Sequence, residues 1–124
     1  MLCPCGSNEK YESCCDPYHN GAAVAPNAEK LMRSRYSAFA MKNMNYIIKT
    51  TDPVDLVKFD RTANERWMLE SEFLKLEILQ SSENENQGTV EFQATFKHMG
   101  KVQTHHEVSA FRKINGNWFY RISQ

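Results

Sequence analysis

Val90-Glu-Phe-Gln-Ala-Thr-Phe-Lys97 alternates apolar and polar residues without a break, the two-residue period of a strand with one buried face. Val90, Phe92, Ala94 and Phe96 form its apolar side. A turn centred on Met99-Gly100 follows within His98–Lys101, and Asn115-Gly116 is a dipeptide suited to a tight hairpin turn. Between them Val102–Ile114 reads as a long strand, and Trp118–Ser123 as the last one. The Asn115-Gly116 turn pairs Lys113 with Trp118, Phe111 with Tyr120, and Ser109 with Ile122. The Met99-Gly100 turn pairs Phe92 with Glu107 and Ala94 with His105. Side chains alternate faces along a strand, so both registers independently direct Glu107 and His105 toward the core.

Upstream, Leu74, Leu76 and Ile78 alternate with Lys75 and Glu77 in a further strand, and Ser81–Gly88 reads as a loop. Before that the period is helical. Asn27 is an N-cap for a helix running to about Lys42, with Glu29 favourable in its first turn. A short helix follows over Met44–Thr50, and Asp52-Pro53 joins a cap to an N1 proline to start a third. Arg61 to about Glu72 carries Trp67 on a fourth, and residues 16–26 read as a linker. Helices first and an antiparallel meander afterwards define an α+β fold.

At about 100° per residue, Ala28, Leu31, Met32, Tyr36 and Phe39 share one arc of the first helix. Arg35 falls near its centre, while Arg33, Ser34 and Ser37 fall outside. A charge on a core-facing arc must be paired or must reach water. The pattern therefore predicts a buried ion pair between Arg35 and Glu107, with His105 beside it. Those three residues also form an interior polar group of the kind that supports proton transfer. An arginine partner lowers a carboxylate's pKa and weakens it as a base, so a structural pair fits better. His98 reads as a turn residue and His106 as an outward one.

The chain has 124 residues, 41% of them hydrophobic, which suffices for one domain core and a small appendage. Lys plus Arg and Asp plus Glu both number 15, giving a net charge of zero. That balance argues against a dedicated nucleic-acid or anionic-membrane binder. No apolar run approaches the roughly 20 residues of a membrane span. The N-terminus also lacks the basic and apolar segments of a signal peptide. The expectation is a soluble, cytoplasmic protein.

All four cysteines, Cys3, Cys5, Cys14 and Cys15, lie within the first fifteen residues. Disulfides between them would close tiny loops and leave the rest of the chain unstapled. The spacing instead suits one Zn²⁺ held by four thiolates, a closed and therefore structural site. Pro4 stiffens the first pair, Gly6-Ser7-Asn8 turns the chain back, and Lys10 offsets part of the negative charge. A free-thiol or redox cluster is the alternative, and His19 is an alternative ligand. Tyr11 and Tyr18 are expected to pack against the knuckle.

Cys3-Pro-Cys-Gly-Ser-Asn-Glu-Lys-Tyr-Glu-Ser-Cys-Cys15 resembles the SEC-C zinc motif of the SecA translocation ATPase. Pro17-Tyr18, Ala25-Pro26 and Leu31-Met-Arg-Ser-Arg-Tyr-Ser-Ala-Phe39 resemble the YchJ family of uncharacterised bacterial proteins, and the likeness runs to the C-terminus. It implies residues 1–20 as the zinc motif and residues 27–124 as a cone-shaped, nuclear-transport-factor-like α+β domain with a curved antiparallel sheet. Asn8 and Asp16 stand where the motif generally has Gly, and Glu9 where it generally has Lys. The Glu9 exchange weakens the case for an anionic partner. Two functions follow. A closed metal site, no nucleotide motif and the SecA likeness favour a binding or adaptor module reaching a protein partner through the zinc motif. The interior polar group favours a small-molecule enzyme or ligand-binding cone.

Overall fold

Asn27 sets the start of the central helix, its side chain accepting a hydrogen bond from the Lys30 amide at 2.8 Å. The computed structural model describes residues 1–122. Among these, helices α1 (Asp16–His19), α2 (Ala28–Ala40), α3 (Met44–Lys49) and α4 (Arg61–Glu70) precede strands β1 (Ser71–Glu83), β2 (Gln87–His98), β3 (Lys101–Ile114) and β4 (Asn117–Arg121). A 3₁₀ segment, Pro53–Lys58, joins α3 to α4. Side-chain caps recur at the starts: Asn43 accepts from the Tyr46 amide, Asp52 from Val54 and Asp60 from Ala63. Short polar residues satisfy amides that a helix start leaves without partners.

The strands form one antiparallel sheet in the order β1-β2-β3-β4. Phe92 faces Glu107, Ala94 faces His105, Phe111 faces Tyr120 and Lys113 faces Trp118, as the two turns require. Asn115 and Gly116 both take positive φ, 51° and 84°, as the tight hairpin demands. The β3–β4 ladder stops at Ala110–Arg121, one pair short of the expected Ser109–Ile122. The Ile122 amide donates instead to the Asp55 carboxylate at 3.0 Å.

Several sequence expectations change. Residues 16–26 contain the one-turn helix α1 rather than only a linker. The loop expected over Ser81–Gly88 shrinks to residues 84–86, because β1 and β2 run farther. Leu76 and Ile78 face the core as expected, but Leu74 is exposed, because a register shift between Phe73 and Lys75 turns Phe73 inward in its place. A second shift lies between Ile78 and Gln80. Such irregularities bend and twist a strand, which curves the sheet around the helices.

The main core gathers Leu31, Met32, Tyr36, Leu76, Val90, Phe92, Phe111 and Trp118 between α2 and the sheet. A second cluster of Ala38, Met44, Tyr46, Ile47 and Met68 lies among the helices. Burial of α2 is two-sided, since Ser34 and Ser37, placed outside its apolar arc, are fully buried as well.

The 3₁₀ segment is tied to the sheet by charge. Arg112 donates from Nε and Nη2 to Asp52 at 2.7 and 2.8 Å, and Arg121 donates to Asp55 at 2.8 Å. The Asp52 side chain is wholly buried, so its bidentate pair should count more than an exposed one. Asp52→Ala should cost about 2–3 kcal/mol in urea unfolding. Glu65→Ala, breaking the exposed Arg61–Glu65 pair, should cost under about 0.5 kcal/mol. Equal costs would refute the distinction.

Candidate functional site

Two features stand out, a thiol cluster at the N-terminus and a cavity between helices and sheet. Gly6 at φ +84° and Asn8 at φ +65° turn the chain between the cysteine pairs. Asn tolerates this left-handed backbone better than most residues. A Cβ at Gly6 would lie 3.2 Å from the Leu76 carbonyl oxygen, so glycine also permits the knuckle's close approach to β1. The Sγ atoms of Cys3, Cys5, Cys14 and Cys15 all lie within 4.8 Å of one another, and no cysteine is in a disulfide.

The sulfur spacing provides a test of metal fit. Four sulfurs at 2.3 Å from one ion stand about 3.8 Å apart in a regular tetrahedron. Cys5 and Cys14 are separated by 3.6 Å, and Cys14 and Cys15 by 4.0 Å. The cluster is therefore compatible with a tetrathiolate metal site. With the sulfurs so close, the Cys15 thiol hydrogen-bonds to Cys5 and draws the Cys5 pKa well down. The same hydrogen bond and burial push Cys15 up. Burial pushes Cys14 up to about 11.

The face of α2 that the helical arc left out receives this knuckle. Arg33 donates from Nη1 to the Cys5 carbonyl at 2.8 Å, bringing a cation beside the thiols, and Cys3 Sγ lies 3.9 Å from Ser37 Oγ. His19 stands outside the cluster. Its Nε2 donates to the Ser34 carbonyl at 2.8 Å, and Tyr11 OH donates to its Nδ1 at 2.7 Å. Both ring nitrogens are thereby committed to structural partners. Tyr11 packs on the cysteines, but Tyr18 packs on the helical cluster instead.

The cavity has a volume of about 560 Å³. Phe39, Trp67, Phe73 and Phe96 wall it in a chain of edge-to-face and tilted rings with centroids 5.1–6.4 Å apart. Its polar end collects Arg35, His105, Glu107, Ser109 and Tyr120. The predicted ion pair is not made. Arg35 Nη1 donates to Ile47 O, Thr50 Oγ1 and Thr51 Oγ1 at 3.0, 2.7 and 3.3 Å. Its guanidinium stacks 4.4 Å over the Tyr120 ring. Glu107 takes other partners, accepting from His105 Nε2 at 2.8 Å, Ser109 Oγ at 2.5 Å and Tyr120 OH at 3.3 Å. The helical phase had no way to show the Thr50 and Thr51 acceptors, which come from the end of α3. His98 and His106 lie outside this group, bonded to Ser71 and Glu91.

Helices on a curved four-stranded sheet, with a cysteine knuckle docked on the first long helix, define an NTF2-like domain preceded by a SEC-C motif. Residues 27–123 match the family described as YchJ, middle NTF2-like domain, and residues 2–17 match the SEC-C motif. A UPF0225 protein of Actinobacillus succinogenes is 40% identical over 96% of this chain and 79% of its own length. The solution structure of a SEC-C motif containing protein from Rhodopseudomonas palustris is 46% identical, with a TM-score of 0.92 over 100% of this chain and 98% of its own. A crystal structure of a SEC-C motif containing protein from Psychrobacter arcticus is 36% identical, with a TM-score of 0.86 over 96% and 79%. The chain belongs to the UPF0225, or YchJ, family. No helix among the described residues is long and apolar enough to cross a membrane.

Burial raises the Glu107 pKa, but hydrogen bonds from His105, Ser109 and Tyr120 outweigh it and hold the carboxyl below its ordinary 4.5. A depressed folded pKa contributes stability above the unfolded value and loses it as pH falls through the folded one. Urea midpoints of wild type and Glu107→Gln should therefore differ most near neutrality and converge in acid as pH falls through the lowered folded pKa. Parallel curves would show that Glu107 gains nothing from its three donors.

Proposed function

We propose that the protein binds a small molecule inside the cone and that a structural Zn²⁺ on Cys3, Cys5, Cys14 and Cys15 braces the helix lining that cavity. The observation that carries the reading is the cavity itself, with aromatic walls and convergent polar groups at one end. Its size falls in the range of small-molecule sites. Glu107 is a weak base when its pKa is held low, so binding fits the site better than proton abstraction. Four sulfur ligands would leave the metal no open position for chemistry. The free thiols fit a reducing, cytoplasmic setting. A protein-binding role for the knuckle is the second reading, favoured by Met1 and Leu2, which stand 69% and 61% exposed on it.

Metal analysis of reduced protein should find about one zinc per chain. Chelation should lower the main thermal transition by several degrees rather than melt the knuckle alone. The reason is that Arg33 and Ser37 meet Cys5 and Cys3 across a contact that is partly to fully buried, with His19 bonded to Ser34 beside it. A main transition untouched by chelation would make the knuckle an independent appendage. For the cavity, a diverse small-molecule library should yield binders that perturb the Trp67 indole resonance. Binders that act only at Met1, Leu2 and the knuckle would transfer the function there.

A further inference from the structure

We propose that Arg35 is the anchor for a carboxylate, and that the cavity takes aromatic or alicyclic monocarboxylates. The inference rests on the small-molecule reading above and names the ligand class. Arg35 is only 6% exposed, yet among the described residues no acidic side chain makes a salt bridge with it. All three of its hydrogen bonds leave from Nη1. Among the described residues Nε and Nη2 donate no hydrogen bond, and neither is sealed from solvent. Two adjacent guanidinium donors thus remain accessible from a cavity that Arg35 lines.

Those two donors form the edge that grips a planar carboxylate with parallel hydrogen bonds. The third nitrogen is held by Ile47, Thr50 and Thr51, and the guanidinium plane by the Tyr120 ring, so the fork is preorganised. Burial lowers the Arg35 pKa to about 10, which keeps the cation at neutral pH. Glu107 attracts the guanidinium at longer range but makes no hydrogen bond to it, its oxygens accepting from His105, Ser109 and Tyr120. A buried cation without a paired anion is costly unless something answers it. The walls select the rest of the ligand. Rigid rings at Phe39, Trp67, Phe73 and Phe96 suit a compact apolar body, and exposed Lys58 and Asp60 at the lining make its rim polar.

The test uses the full chain and paired probes, namely benzoate, cinnamate, naphthalene-2-carboxylate and cyclohexanecarboxylate, each beside its primary amide. NMR should show the carboxylates binding about ten- to a hundredfold more tightly than the amides. The Arg35 Nε–Hε resonance should shift only with the carboxylates. Arg35→Lys, which keeps the charge but not the fork, should erase most of that preference. The wild-type Hε signal decides the matter even where the variant folds poorly. Amides that match the acids, or an unmoved Arg35 signal, would overturn the anchor while leaving the cavity as a ligand site. Failure of every probe to perturb Trp67 or Arg35 would overturn both.

Discussion

A guanidinium taken out of water must find acceptors, and the way Arg35 finds them orders this fold. Its Nη1 gathers Ile47 O, Thr50 Oγ1 and Thr51 Oγ1, which fixes the C-terminal end of α3 against α2. That end is in turn stitched to the last strand: the Tyr120 amide donates to Thr50 O and the Asp52 amide to Tyr120 O, both at 2.8 Å. Tyr120 then closes the circuit, its ring under the guanidinium and its hydroxyl on Glu107. Helix and sheet are thus coupled through a tyrosine rather than through a direct salt bridge. A direct pair would desolvate two charges and depend on ideal geometry. The relay lets each charge keep its own set of dipoles.

Helix α2 serves two surfaces because its polar residues are short or forked. Ser34 reaches the Leu31 carbonyl at 2.9 Å and the Tyr46 hydroxyl at 2.7 Å, so a fully buried serine is satisfied locally. Arg33 meets Glu29 one turn back at 3.1 Å and the Cys5 carbonyl ahead. These contacts make the knuckle a buttress for the helix whose opposite side lines the cavity. The thiol cluster on one face and the cavity on the other share one rigid element, with two residues between Arg33 and Tyr36.

Period and turn chemistry made the sheet legible. Alternation from Val90 to Lys97 and the two turns gave the registers that place Glu107 opposite Phe92, because a side-chain period of two leaves little freedom once one face is buried. The thiol cluster was legible for a similar reason, four like ligands in a short span. The β1 register was not, since the shift at Phe73–Lys75 reverses faces without any local signal such as Gly or Pro. Nor were the partners of Arg35. Helical phase says which way a side chain leaves its helix, but acceptors on a different helix depend on tertiary packing. Ser34 and Ser37 fall outside the apolar arc by helical phase, yet both are fully buried. Their burial reflects a second layer, the knuckle and α3, that a single apolar arc does not reveal.

Arg35, which is buried, and Glu107, whose side chain is 33% exposed beside a 54% exposed His105, are treated differently by the same fold. Glu107 is answered by His105, Ser109 and Tyr120, two of them from its own strand at spacing two, so the pleat alone lines up its donors. Arg35 is hydrogen-bonded through one nitrogen only, to neutral groups, and feels Glu107 at longer range. Glu107 stands on the same cavity wall, but its oxygens accept from His105, Ser109 and Tyr120, and Met32, Phe92 and Ala94 add apolar wall around it. Apolar walls beside a half-satisfied cation create a strong field in a region of low polarizability, where a single bidentate contact is worth more than it is in water. The space between helix and sheet is therefore chemically directional: apolar along its aromatic walls and polar at the end where Arg35 and Glu107 stand.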